Sequence, residues 1–171
     1  MDILLIRKLQ NNIFNPSFIS LLLAILALVF AFTLQYLFGY EPCRLCMFQR
    51  YGYTILILIS IIGLFYHTNK IIDLLIIISF FTITSISFWH IGVELEWWAA
   101  SLECSGMTEN IGSLEEELKN INNKLNASCD QMSPKFLYIS LVQWSFIYGL
   151  VSLIFSTILI INKHLKKERI T

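Results

Sequence analysis

Charge is scarce in this chain, and its scarcity excludes an ordinary soluble fold. Only 14% of the 171 residues are charged and 56% are hydrophobic, whereas a globular domain carries roughly a quarter charged residues. No charge occurs between Lys8 and Glu41, and Tyr51 to Asn69, Leu74 to Val93 and Phe136 to Asn162 are equally free of it. Each block reaches about the 20 residues that cross roughly 30 Å of hydrocarbon as a helix. Buried core helices also read as apolar runs, but four of them could not be covered by the polar residues that remain. A small-x-small cleavage site is missing from "LQYLFGYEPC", and the run before it exceeds a signal-peptide core. The first run is therefore expected to stay as an anchor, with no mature soluble form. Internal repeats and low-complexity tracts are absent as well.

What remains is the pattern of an all-α membrane protein: one integral membrane domain over 1–171, built as a four-transmembrane-helix bundle. The helices are expected near 17–38, 48–66, 71–90 and 138–161, with loops near 39–50 and 91–137. Seven of the twelve Lys/Arg fall at Arg7, Lys8, Lys70, Lys163, Lys166, Lys167 and Arg169. The positive-inside rule puts these regions, and so both termini, in the cytoplasm. The two loops then face outward and hold nine of the twelve acids. A net charge of zero thus conceals a split of roughly +4 inside and −4 outside. Within the second loop, Ile111, Leu114, Leu118, Ile121 and Leu125 of "IGSLEEELKNINNKL" share one helical face. Ser113 and Glu116 resemble a capping box. A short amphipathic interfacial helix fits this pattern, with packing against a partner as the alternative. Trp89, Trp97 and Trp98 read as an interfacial aromatic belt. "NAS" at 126–128 matches a glycosylation acceptor, a pattern too short to carry function.

No cysteine lies in a helix centre or on the cytoplasmic side. All four, Cys43, Cys46, Cys104 and Cys129, fall in the outward loops. In an oxidising compartment two loops with two cysteines each make two bridges the simplest arrangement, either structural staples or redox centres. The surroundings of the first pair favour chemistry. Pro42 suits a helix start, so the second helix is expected to begin close to Cys43, with Cys46 in its first turn. Free N–H groups and the macrodipole there favour an anion. Arg50, at i+4 from Cys46, adds fixed positive charge, and both effects favour the thiolate, the nucleophilic form. An arginine beside an apolar slab needs a partner. The Cys46 thiolate and a polar group on a membrane ligand are candidates, and snorkelling to lipid phosphates is the plainer alternative. His90 and Glu94 in "HIGVE" are again i, i+4 at the same depth. They are either ordinary interfacial residues or, with Arg50, part of a polar pocket for the head of a membrane-soluble cofactor. His90 with the cysteines would also suggest a metal site, since C-x-x-C is half of a zinc motif. The other half is missing, since Cys104 and Cys129 lie 25 apart, and no metal site is expected. A bridge between that distal pair would contribute about 3 kcal/mol in the chain-entropy model, and an exposed one is open to attack by a foreign thiolate.

"EPCRLCMFQR" resembles the proline–CxxC–aromatic–(Glu/Gln)–Arg signature of the DsbB family, bacterial inner-membrane quinone reductases that regenerate the periplasmic thiol oxidase DsbA. The likeness covers nearly the whole chain: four spans, C-x-x-C in the first outer loop, His-x-x-x-(Glu/Gln) ending the third helix, and a spaced cysteine pair in the second loop. It implies a dithiol:quinone oxidoreductase of the bacterial inner membrane, with ubiquinone or menaquinone as cofactor. The implied partner is a periplasmic DsbA-like thioredoxin-fold protein; no nucleic acid is implied. By this resemblance Cys104, bridged to Cys129, meets the reduced partner and Cys129 then attacks Cys43. Cys46 donates to the quinone through a thiolate–quinone charge-transfer state. Arg50 binds and polarises the quinone, and His90 and Glu94 line its ring. Gln49 stands where some members have Glu, so no carboxylate is available there as a proton acceptor. The 104–129 segment is more acidic and more helical than the family pattern suggests. Two other readings stand beside it. Vitamin K epoxide reductase-like proteins share the chemistry but place C-x-x-C after the loop pair, the reverse of the order here. A non-catalytic four-helix protein with structural disulfides would tolerate loss of Arg50.

Overall fold

The computed structural model of the chain describes residues 15–66, 69–99, 129, 133 and 135–168. Four helices dominate it: α1 (Pro16–Tyr36), α2 (Arg44–Phe65), α3 (Lys70–Glu94) and α4 (Leu141–Glu168). A two-stranded hairpin, β1 (Lys135–Phe136) with β2 (Ile139–Ser140), leads into α4. All four helices are long and apolar enough to cross a membrane. The expected amphipathic helix over 111–125, and Cys104, lie outside the described residues.

The helix limits follow local chemistry and differ from expectation at several ends. Asn15 caps α1, its side chain accepting from Ser17 N at 3.2 Å, with Pro16 just inside. This helix stops two residues before the expected 38, and the chain turns through Gly39 at φ 72°. α2 starts at Arg44, as expected from Pro42 and before the apolar span near 48, with Cys43 as its cap and Pro42 one residue outside. α3 runs one turn past 90 and ends in a Schellman-type turn: Trp97 N donates to Gly92 O and Glu96 N to Val93 O. Glu96 takes the left-handed conformation there, φ 58°, at a cost of about 1–2 kcal/mol for a non-glycine residue. α4 begins at 141 instead of 138, because Leu137 and Tyr138, both at positive φ, form the hairpin turn. It also outlasts the expected 161, since polar "NKHLKKE" continues the helix beyond its apolar span.

Neighbours in sequence pack antiparallel, and α1 meets α4 to close the bundle. Leu56, Ile76, Phe80 and Ile83 form the apolar centre. Small residues bring the backbones close, as lipid-embedded helices require when no hydrophobic force drives them together. Ser17, Ser20, Ser60, Ser87 and Ser156 are fully buried. Ser20 Oγ meets Ser156 Oγ at 3.4 Å between α1 and α4, and Tyr148 donates to Leu23 O at 2.7 Å. A Cβ on Gly63 would stand 2.4 Å from Ser17 Oγ. Large apolar side chains such as Val29, Leu58, Phe81 and Val151 point outward, the arrangement suited to a lipid surround.

At one end of the bundle Asp73, almost fully buried, accepts from Lys163 Nζ at 2.8 and 3.0 Å and lies 3.0 Å from His164 Nε2. At the opposite end, where α2 begins and α3 ends, Cys43, Cys46 and Cys129 gather.

Candidate active site

Cys43 occupies the N-cap position of α2 with extended backbone, φ −71° and ψ 172°. Its sulfur takes the place of a capping oxygen, accepting from Cys46 N at 3.4 Å. Because C-x-x-C across a helix start puts the second residue at N3, the two thiols face one another, Sγ to Sγ 3.1 Å. The last turn of α3 delivers His90, whose Nε2 lies 3.5 Å from Cys43 Sγ. Cys43 and His90 are buried and Cys46 is half-buried.

Cys129 reaches the same place. It is buried in one apolar cluster with Cys43 and Val93, against which Leu45, Cys46 and Trp98 pack. Three of the four sequence-predicted cysteines thus converge although 83 positions separate Cys46 from Cys129. Trp98 roofs the cluster because the turn after α3 folds it back over Gly92. A Cβ there would lie 1.8 Å from the indole, so only glycine admits it. The indole donates to Trp89 O at 3.1 Å and stacks on Trp89 with centroids 4.9 Å apart. Of the tryptophans expected as a belt, Trp98 packs against the dithiol cluster, while Trp89 and Trp97 are exposed.

Arg50, His90 and Glu94 turn to different hydrogen-bond partners. Arg50 turns toward α1, donating to Gln35 Oε1 and to Ala31 O (3.1 Å) and lying 5.1 Å over the Phe32 ring. Its partners among the described residues are a half-buried amide, a carbonyl and an aromatic face, and these two hydrogen bonds use two of the five guanidinium N–H groups. Glu94 commits one oxygen to Ser133 N at 3.0 Å and the other to Ser140 Oγ at 2.7 Å. Ser140 in turn caps α4 in a reciprocal box with Gln143, at 3.2 and 3.1 Å. Glu94 therefore ties the chain just after Cys129 to the end of α3. Gln49, one turn below Cys46, accepts from Ser145 Oγ at 3.0 Å, while its Nε2 is buried with no hydrogen-bond partner among the described residues. His90 Nδ1 is orphaned in the same way. Sequence reasoning missed Gln35 and the Ser140–Gln143 box. A polar residue inside the first apolar run, and S-x-x-Q before the last one, were the available signals.

The sequence profile of the family "Disulfide bond formation protein DsbB" matches residues 15–159. The chain belongs to the DsbB family. Two curated relatives named Disulfide bond formation protein B, from Xylella fastidiosa strains Temecula1 and 9a5c, are 32% identical over 127 residues, 69% of this chain and 72% of each relative. "Uncharacterized protein RP370" of Rickettsia prowazekii is 30% identical over 158 residues, 91% of either chain. As a member of this family the chain is a multi-pass membrane protein and an oxidoreductase of disulfide formation.

Proposed function

We propose that this DsbB-family chain is a dithiol:quinone oxidoreductase of the bacterial inner membrane that reoxidises a periplasmic DsbA-like thioredoxin-fold protein. The observation that carries the reading is the burial of Cys129 in one cluster with the Cys43–Cys46 pair, because a relay between two disulfides requires that contact. Both termini are then cytoplasmic and the cysteine end periplasmic.

In this scheme the thiolate of the reduced partner attacks Cys104 of the Cys104–Cys129 bond, freeing Cys129. Cys129 attacks Cys43, and Cys46 leaves as thiolate at the start of α2, where unsatisfied N–H groups favour negative charge. The partner's second thiolate releases it oxidised, and Cys104 re-forms the bond with Cys129, leaving Cys43 and Cys46 as a dithiol. Quinone, when bound, accepts the two electrons and two protons of that dithiol and leaves as quinol, and the Cys43–Cys46 bond is restored. The donors near the dithiol suit a quinone carbonyl. Among the described residues, Gln49 Nε2 is buried without a partner, and Arg50 bonds only Gln35 and Ala31, which hold it in place. His90 borders the dithiol on the other side at Cys43. The geometry favours Glu94 as the fastening of the Cys129 segment over a place on the quinone ring.

The experiment is to mix purified chain, ubiquinone or menaquinone, and a reduced thioredoxin-fold protein, and to follow quinone absorbance. Stoichiometric quinol formation with partner oxidation is expected. Absence of reduction with every quinone would leave only structural disulfides.

A further inference from the structure

Three metal-ligand atoms converge at the start of α2. Cys43 Sγ, Cys46 Sγ and His90 Nε2 all lie within 4.8 Å of one another. The sequence expectation of no metal site weighed His90 with the cysteines and rested on the missing second half of a zinc motif; here His90, from α3, stands as a third donor beside both sulfurs. Tetrahedral zinc, with Zn–S about 2.3 Å and Zn–N about 2.0 Å, asks for about 3.5 Å between sulfur and nitrogen and about 3.8 Å between sulfurs. Cys43 and His90 already stand at 3.5 Å. The two sulfurs, at 3.1 Å, need to open by under about 1 Å, a small rotation of the half-buried Cys46 side chain.

Charge and donor type narrow the ion. Two thiolates and a neutral imidazole cancel a double positive charge, so a divalent ion leaves the buried site neutral, whereas a monovalent or trivalent one leaves a net charge in apolar surroundings. Two sulfurs and a nitrogen select zinc, cadmium or cobalt over magnesium and calcium. The nearby carboxylate of Glu94 is held by Ser133 and Ser140. We propose that the reduced chain captures one zinc-like divalent cation on Cys43, Cys46 and His90, holding the dithiol out of turnover. Binding displaces the two thiol protons to solvent and changes no oxidation state. Oxidation to the disulfide removes both thiolates, so capture belongs to the reduced form alone. Among the described residues His90 Nδ1 has no hydrogen-bond partner, and a metal-bound imidazole without that second hydrogen bond holds its ion about 10–100-fold more weakly. Capture is therefore reversible.

The test uses the full-length chain in detergent, without oxygen, carrying Cys104→Ser and Cys129→Ser so that only the Cys43–Cys46 thiols remain. Titration of the reduced chain with Cd2+ is expected to produce a thiolate-to-cadmium ultraviolet band saturating at one equivalent, absent after oxidation and unaffected by excess Mg2+. His90→Ala is expected to weaken binding at least about tenfold. No band in the reduced chain, or unchanged affinity in His90→Ala, overturns the proposal. Should that variant misfold, X-ray absorption of the Zn2+ form with His90 intact decides. A shell with two sulfurs and a nitrogen ligand supports it, and an all-sulfur shell overturns it. The inference does not rest on quinone chemistry. A chain that binds Cd2+ but reduces no quinone refutes the oxidoreductase reading alone. Full turnover in stoichiometric Zn2+ refutes the brake.

Discussion

Replacing Glu94 separates a loop-fastening role from a quinone-contact role. Its carboxylate, 7% exposed, accepts from Ser133 N at 3.0 Å and Ser140 Oγ at 2.7 Å, and hydrogen bonds to a charged group are worth about 1.5–3 kcal/mol each. Glu94→Gln turns one acceptor oxygen into an NH2 that donates to the Ser140 hydroxyl, and it removes the charge that strengthens both bonds. One bond's worth of stabilisation, about 1.5–3 kcal/mol, is then lost, raising the population with the 129–140 segment lifted from α3 roughly ten- to hundredfold. Glu94→Ala loses both and exceeds this. Hydrogen exchange in nanodiscs reads the effect at the Ser133 amide, whose protection should fall by that factor. Turnover with a reduced thioredoxin-fold partner should fall with it, because Cys129 leaves the Cys43 cluster more often. The apparent KM for quinone, measured with a small dithiol that reduces Cys43–Cys46 directly, should hold. Unchanged protection at Ser133 together with a raised quinone KM would refute this reasoning and place Glu94 on the quinone.

Arg50→Ala should raise the apparent KM for quinone about tenfold or more, from loss of a charged hydrogen bond of about 1.5–3 kcal/mol. Gln35→Leu, which removes only the support from α1, should raise it less, and equal effects would make Arg50 a packing residue. Cys104→Ser should leave a Cys43–Cys46 pair that quinone oxidises but abolish turnover with reduced partner; normal partner oxidation in that variant would contradict the relay order. Gly92→Ala should evict the Trp98 indole, which a Cβ would meet at 1.8 Å, destabilising the chain by about 1–3 kcal/mol. Tryptophan emission should shift and Cys43 and Cys46 should alkylate faster, and an unaltered spectrum would mean that Trp98 does not cover the dithiol. In a double-mutant cycle, Asp73→Ala with Lys163→Ala should show a coupling of about 1–3 kcal/mol in unfolding, larger than the 0.2–1 kcal/mol typical of exposed pairs.

The spans were legible because lipid asks for apolar side chains on the outer faces as well as in the core, so each helix reads as a continuous run. Their ends were less so. α4 carries its last turns on "NKHLKKE", where loss of hydropathy marks the end of the span and not of the helix. The dithiol was legible too, since C-x-x-C after proline fixes both the cap and the facing thiols. The partners of Arg50 were not. An i, i+4 spacing places it on the Cys46 face, but a side chain of that length reaches a neighbouring helix, and the choice of Gln35 depends on how α1 packs. His90 and Glu94 share a helical face, yet one turns to Cys43 and the other to Ser133 and Ser140. Sequence spacing cannot separate those destinations, because the segments that receive them come from elsewhere in the chain.

α3 explains why the two ends of the bundle stay in register. Its first turn holds Asp73 and its end holds His90 and Glu94, about 25 and 32 Å away at 1.5 Å per residue. An ionic group in a buried setting resists removal of its partner, so Asp73 pins α4 at one end through Lys163 and His164, and Glu94 pins the α4 N-cap at the other through Ser140. Between these clamps the α3–α4 contact is formed by small and apolar residues, such as Thr84 against Gly149, which fix distance but only weakly resist sliding. A slide of α4 by one turn would shift Ser140, and with it Ser133 and the approach of Cys129 to Cys43, by about 5.4 Å. That displacement exceeds any sulfur–sulfur contact. The polar clamps at the two ends of α3 therefore hold the register on which the contact of Cys129 with Cys43 depends.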